Sequence, residues 1–186
     1  MGAISIIPES EFRTTAWSGG TTTELFIFPE GASYAERRFS ARISSATVDL
    51  DESVFTPLQG VKRFLTPLCA GFELTVNGSE VSLPRGEVLE FSGGDAVSCC
   101  GRGRDLNLML KDADGYMRIV NGAFTVPEGA IAFLFAPDPA AVAYCRRCDR
   151  CTSTLLSKYD FASAAPGDYR TNSPLVLFVI MPPARA

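Results

Sequence analysis

The chain of 186 residues contains no histidine. Histidine is the most frequent general base, a frequent metal ligand and the side chain that changes charge near neutral pH. Its absence removes the usual Ser–His and Cys–His nucleophile pairs and leaves carboxylate, thiol, amine and phenol groups for acid–base chemistry. We therefore predict no catalytic residues, and the composition favours a binding protein over an enzyme.

Lysine is scarce as well, since only Lys62, Lys111 and Lys158 are lysines among the 17 basic residues. The other cations are arginines, whose planar guanidinium groups suit bidentate binding of carboxylates. The 21 acidic residues give a formal net charge of −4. A net negative chain argues against a nucleic-acid partner.

Long apolar runs are missing too. The longest one near the carboxyl terminus, residues 174–183, is well below the roughly 20 residues that a membrane-spanning helix needs. The segment MGAISIIPESEF lacks the basic region of a secretory signal. These features predict a cytoplasmic protein with no membrane partner, in which the six cysteines are free thiols or metal ligands rather than a disulfide framework.

The sequence does contain many short β-rich runs separated by Gly, Pro, Asn and Asp. In the clearest, FELTVNGSEVSL (72–83), the pair Asn77-Gly78 favours a two-residue turn that places Phe72 opposite Leu83. The other expected strands are 22–28, 39–48, 61–65, 88–91, 96–100, 106–110, 117–120, 130–135 and 175–181. This pattern predicts an all-β protein and leaves a sandwich and a barrel open.

Five blocks of the sequence closely resemble the HutD/Ves family. They are WSGGTTTELFIFPEG (17–31), FSARISSATV (39–48), FTPLQGVKRFL (55–65), FSGGDAV (91–97) and DLNLM (105–109). The resemblance implies a cupin-type double-stranded β-helix, an RmlC-like jelly roll, with two cupin-like lobes in one chain. The polar cluster KDADG at 111–115 favours a boundary, so we expect a single HutD-like bicupin unit over 1–186 with lobes of 1–112 and 113–186.

The family's name links it to histidine utilisation, where it is regarded as an accessory protein and not as a pathway enzyme. The resemblance therefore implies a regulator of histidine catabolism that binds a small carboxylate metabolite similar to formylglutamate. A metal-free cupin isomerase or lyase and a thiol-based metal or redox protein remain as alternatives. The sequence leaves the identity of the ligand and the oligomeric state open, a homodimer included.

The usual metal site of cupins is absent from this sequence. Such a site needs two or three histidines and a glutamate that converge inside the barrel. Aligning Gly71 and Gly78 with the corresponding cupin glycines places Phe64 near the usual glutamate and Val97 near the last histidine. Because no histidine exists anywhere in the chain, neither a resident metal nor another cofactor is predicted.

Two arginines lie within apolar β segments, Arg42 in ARISSA and Arg63 in VKRFL. A buried arginine usually has an acidic partner, and two that point into the barrel would hold a ligand carboxylate. The alternatives are internal pairing with Glu24 or Asp105, and exposure at the surface.

The other candidate ligand-binding residues are polar or aromatic residues of the family blocks. In a strand, Thr21 and Thr23 share one face, and Asp105 and Asn107 share one face with leucines between them. Ordinary strand propensity, or a solvent-facing strand edge, is the alternative. The full set of predicted ligand-binding residues is Trp17, Thr21, Thr23, Arg42, Ser44, Arg63, Asp105 and Asn107.

Three cysteines, Cys145, Cys148 and Cys151, follow one another at three-residue intervals in CRRCDRC. On a helix they would approach one another, and three thiolates would hold Zn²⁺ or part of an iron–sulfur cluster. The flanking arginines are expected to lower the thiol pKa, which favours redox chemistry. No fourth cysteine lies nearby in the sequence, so we predict no bound metal here.

Overall fold

A computed structural model describes residues 3–145 and 151–183. Within these ranges the chain forms 17 strands and one short 3-10 turn at Glu9–Glu11, and no α-helix, which confirms the all-β prediction. None of the described residues belongs to a helix that is long and apolar enough to cross a membrane. The strands are β1 (Ile4–Ile6), β2 (Arg13–Trp17), β3 (Gly20–Phe28), β4 (Ala41–Val48), β5 (Glu52–Val54), β6 (Lys62–Pro67), β7 (Phe72–Val76), β8 (Ser79–Leu83), β9 (Leu89–Ser92), β10 (Val97–Cys100), β11 (Gly103–Leu110), β12 (Asp114–Val126), β13 (Ile131–Phe135), β14 (Ala140–Cys145), β15 (Cys151–Leu156), β16 (Phe161–Ala164) and β17 (Gly167–Met181).

The chain divides into two compact units. The first unit is Phe12–Ala113, and the second unit consists of the described residues of Met1–Glu11 and Asp114–Ala186. Strand β1 pairs with β16, which is why the start of the chain belongs to the second unit. The second unit is built on a sheet of order β1-β16-β13-β17-β14-β15, with β12 paired to β17.

The first unit contains two sheets. One has six strands in the order β2-β3-β4-β11-β6-β9, and the other has four in the order β5-β10-β7-β8. All of the predicted strands form, whereas β1, β2, β5, β14, β15 and β16 were not predicted. Four of these six lie at the edge of a sheet, where exposure to solvent removes the need for the alternating apolar pattern on which the prediction depends.

The hairpin predicted for residues 72–83 is confirmed. Phe72 pairs with Leu83 and Leu74 with Val81, and all of these except the partly exposed Val81 are buried. Asn77 and Gly78 have φ angles of 50° and 84°, as a two-residue primed turn requires.

Replacing Gly78 with alanine should lower the free energy of unfolding by about 1 kcal/mol. A Cβ atom at this position would meet no other atom within 4 Å, so the cost comes from the left-handed backbone alone. Urea unfolding measures the change, and Ser79→Ala, an exposed position next to the turn, is the matched control. An unfolding midpoint equal to that of the unsubstituted protein would contradict this prediction.

Two apolar clusters lie on one face of the six-stranded sheet of the first unit, and the opposite face also carries buried side chains such as Ile43 and Leu108. One apolar cluster joins this sheet to the four-stranded sheet and includes Val48, Leu65, Phe72 and Phe91. A second cluster consists of Phe39, Leu58, Val61 and Met109. On the same face of β4 and β11, the positions between these clusters carry polar side chains, and they form the site described next.

Candidate functional site

A cavity of about 240 Å³ lies in the first unit. Its wall includes Val48 from one apolar cluster and Met109 from the other. Trp17 and Val54 also line it, and they are 37% and 77% exposed. The cavity therefore extends from the interior of the first unit to solvent at the side of Trp17 and Val54.

Six of the eight predicted ligand-binding residues line this cavity. They are Trp17, Arg42, Ser44, Arg63, Asp105 and Asn107. Thr21 and Thr23 do not line it. They lie on the other face of β3, where their hydroxyls bond to Thr47 Oγ1 at 2.9 Å and to Thr14 Oγ1 at 2.8 Å. Thr22, on the opposite face of the strand, lines the cavity instead.

The glycines beside Trp17 serve packing within the protein. A Cβ atom at Gly19 would lie 2.1 Å from the Trp17 ring, and one at Gly20 would lie 2.1 Å from the backbone oxygen of Thr47. Only glycine leaves room for these contacts. The Ser18-Gly19-Gly20 turn thus holds the indole at the exposed side of the cavity.

Arg42 is buried and already has an acidic partner. The residue is only 5% exposed, and its Nε donates to Glu24 Oε2 at 2.8 Å. Its Nη1 donates to Ser44 Oγ at 3.1 Å, and the ring of Tyr34 lies 4.2 Å from the guanidinium carbon. The predicted alternative of pairing with Glu24 is confirmed for this arginine, and surface exposure is ruled out.

Arg63 is 6% exposed and is less completely bonded. Its Nη2 donates to Asn107 Oδ1 at 3.1 Å, whereas its buried Nε has no hydrogen-bond partner among the described residues. The rings of Phe55 and Phe91 lie 5.2 Å and 5.0 Å from the guanidinium carbon. Burial lowers the pKa of Arg63 from its usual value, and a buried N–H group without a partner costs free energy that a ligand would recover.

Asp105 completes a chain of hydrogen bonds. It is 2% exposed, and its Oδ1 accepts from Asn107 Nδ2 at 2.7 Å, so the Asn107 amide joins the Asp105 carboxyl to the Arg63 guanidinium. Burial raises the pKa of Asp105 to about 7, although Arg63, Asn107, the Ala46 backbone and Arg104 act in the opposite direction. Strand β11 lies between β4 and β6, so the alternative of a solvent-facing strand edge is wrong.

Tyr34, Phe55 and Thr22 are cavity residues that the sequence analysis missed. Tyr34 lies between β3 and β4, in a segment without alternation, and no pattern marks it. Phe55 is the first residue of one of the family blocks, and its place in that block was the one sign that it contributes to a site. The alternation that places Thr21 and Thr23 on one face of β3 puts Thr22 on the other face, but it does not indicate which of the two faces borders the cavity.

The side chains in this cavity do not fit the divalent metal ion of cupin enzymes. The guanidinium groups of Arg42 and Arg63 line it, and Asp105 is the one carboxylate among its described lining residues. A guanidinium group is not a metal ligand, and a single carboxylate without histidines is not the ligand set that a divalent ion of this kind requires. Among the described residues, no three or more Cys, Asp or Glu side chains form a group that would hold a metal.

The described cysteines of CRRCDRC lie on antiparallel strands, not on a helix. Cys145 ends β14, Cys151 begins β15, and the two residues pair in register with their Sγ atoms 3.3 Å apart. Cys148 lies outside the described residues. The hydrogen bond with Cys151 raises the pKa of Cys145, which is opposite to the predicted effect of the flanking arginines.

Comparisons with known proteins bear on the family and the fold. A family model described as HutD matches residues 9–168. The structure of HutD from Pseudomonas fluorescens SBW25, from a formate condition, shares 23% identity with a TM-score of 0.75, over 96% of this chain and 98% of that one. A conserved protein of unknown function from Pseudomonas aeruginosa PAO1 shares 21% identity with a TM-score of 0.74, over 97% and 98% of the two chains. No protein in a search of curated proteins matches the chain.

A more distant likeness concerns the fold alone. The oxalate decarboxylase of Lactobacillus farciminis, in a formate complex, shares 9% identity with a TM-score of 0.58, over 100% of this chain and 88% of that one. The cupin-type double-stranded β-helix with two cupin-like lobes is thereby confirmed. Because the family model matches most of the chain, the protein belongs to the HutD family.

Proposed function

We propose that this protein is a non-catalytic, cytoplasmic binding protein for a small carboxylate metabolite similar to formylglutamate, and that it regulates histidine catabolism. The observation that carries the binding proposal is that Arg63 lines the cavity while its buried Nε lacks a hydrogen-bond partner among the described residues. A carboxylate matches a guanidinium in charge and in geometry, and it would accept the hydrogen bond that Nε does not make within the protein.

The surroundings of Arg63 support a ligand with an apolar part next to its carboxylate. Phe55 and Phe91 flank the guanidinium, and Met109, Val48 and Ala46 contribute apolar wall. Small-molecule sites commonly combine such a wall with a few polar groups that set orientation. The regulatory part of the proposal rests on family membership, since the HutD family takes its name from histidine utilisation.

A binding screen with two readouts tests the proposal. Formate, N-formylglutamate, glutamate and urocanate are added separately, and thermal unfolding is followed together with tryptophan fluorescence. A ligand present at ten times its Kd should raise the Tm by about 3 to 6 °C. Trp17 is the one tryptophan of the chain and lines the cavity, so ligand entry should change its emission. If no acid changes either readout at millimolar concentration, the proposal fails.

Asp105 favours a second candidate function, a metal-free isomerase or lyase. A buried cavity carboxyl with a pKa of about 7 matches what general acid–base catalysis near neutral pH requires. Proton NMR of each acid incubated with the protein separates the two candidates. We expect binding without any new product signal, and product that accumulates with the protein but not with an Asp105→Asn variant would establish the enzyme instead.

A further inference from the structure

We propose that a ligand carboxylate binds at Arg63 and that Asp105 takes up one proton in the same event. The net species bound is therefore a neutral carboxylic acid. This inference rests on the proposed function and adds the charge that the ligand carries into the cavity. The expected ligands are molecules that place a single negative charge inside it.

The two arginines of the cavity are each connected to a carboxylate. Arg42 is neutralised by Glu24, with Nε and Oε2 2.8 Å apart. Arg63 is connected to Asp105 through the Asn107 amide, with bonds of 3.1 Å and 2.7 Å. When Asp105 is ionised, these two pairs leave no net positive charge, and an entering carboxylate would add a buried charge without compensation.

Protonation of Asp105 removes this obstacle. Arg63 then carries one positive charge that no carboxylate in the cavity compensates, together with the unpartnered Nε donor. One ligand carboxylate restores neutrality, and it forms charge-assisted hydrogen bonds with the guanidinium. The amide of Asn107 bonds to Asp105 in either state, because the protonated carboxyl retains an acceptor oxygen.

Asp105 is the group placed to accept the proton. The groups that act on it are Arg63 from β6, the Ala46 backbone from β4, and Asn107 and Arg104 from its own strand. Cys99 from β10 also interacts with it, but burial raises the pKa of that thiol to about 12 and keeps it neutral. Because the pKa of Asp105 is about 7, its protonation at neutral pH requires little free energy.

The charge balance also selects among ligands. A longer ligand such as N-formylglutamate is accommodated if its second carboxylate stays at the side of Trp17, where the cavity reaches solvent. A short dicarboxylate such as malonate would bring two negative charges inside, where the positive charge of Arg63 compensates one of them. We therefore expect acetate to bind more tightly than malonate at about pH 8, where both acids are fully ionised.

Isothermal titration calorimetry with N-formylglutamate and acetate tests the inference. Titrations in buffers of different ionisation enthalpy report how many protons are taken up with each ligand. For the unsubstituted protein we expect uptake approaching one proton at about pH 8.5, and affinity that falls about tenfold per pH unit above pH 7. Asp105→Asn should bind without proton uptake and with little dependence on pH, whereas the exposed-site control Glu90→Gln should behave as the unsubstituted protein.

The outcomes separate this inference from the proposed function. Binding with no proton uptake at any pH between about 5.5 and 8.5 overturns the inference and leaves the binding proposal in place. Proton uptake that persists in Asp105→Asn assigns the proton to another group and overturns the inference as well. Absence of binding by either acid at every pH overturns both proposals.

Discussion

Arg63→Gln is expected to weaken the binding of N-formylglutamate by about 100-fold or more, because truncating one partner of a buried, hydrogen-bonded charge pair typically costs 2 to 5 kcal/mol. The glutamine removes the cation and the unpartnered Nε donor together. The fold should survive, because loss of the cation favours the neutral form of Asp105 and leaves no buried charge unpaired. Calorimetry measures the affinity, and circular dichroism verifies the fold.

Two further variants make the Arg63 result specific. Arg63→Lys retains a cation but not the planar set of donors, so its affinity should lie between those of the unsubstituted protein and Arg63→Gln. Arg102→Gln removes an exposed arginine whose Nε pairs with Asp51 Oδ1 at 2.8 Å, and it should bind normally. Equal affinity of Arg63→Gln and Arg102→Gln would show that Arg63 does not hold the ligand.

Asp105→Asn is expected to stabilise the ligand-free protein, and to do so increasingly as the pH rises. Burial raises the pKa of Asp105 from 3.8 to about 7 in the folded state. Between these two values the unfolded chain releases this proton and the folded chain keeps it, so stability contributed by Asp105 is full below the lower value and is lost as the pH approaches 7. Asparagine does not ionise and shows no such loss.

Urea unfolding of both proteins at two pH values measures this effect. The stability difference between Asp105→Asn and the unsubstituted protein should grow by about 3 kcal/mol between about pH 5 and about pH 8. Asp112→Asn, at an exposed position, reports the effect of removing one surface charge. A difference for Asp105→Asn that does not change with pH would mean that this carboxyl is ionised in the folded protein throughout the range.

Much of the fold could be predicted because the signals are local. The Asn77-Gly78 turn sets the register of its hairpin through backbone conformations that these two residues adopt easily, and the structure shows that register. The edge strands β1, β2, β5 and β15 could not be predicted. Each of these strands forms by pairing with a neighbouring strand, and its own residues carry little of the pattern that would predict a strand.

The sequence by itself determined which chemistry is available and which side chains share a face. Without histidine the chain cannot form the usual cupin metal site, and the two-residue period of β11 places Asp105 and Asn107 on one side. Only the tertiary structure decided that Arg63 bonds to Asn107, since these residues are 44 positions apart and meet because β6 pairs with β11. It also decided the burial that raises the pKa of Asp105, because the exclusion of water depends on packing among segments that are distant in the chain.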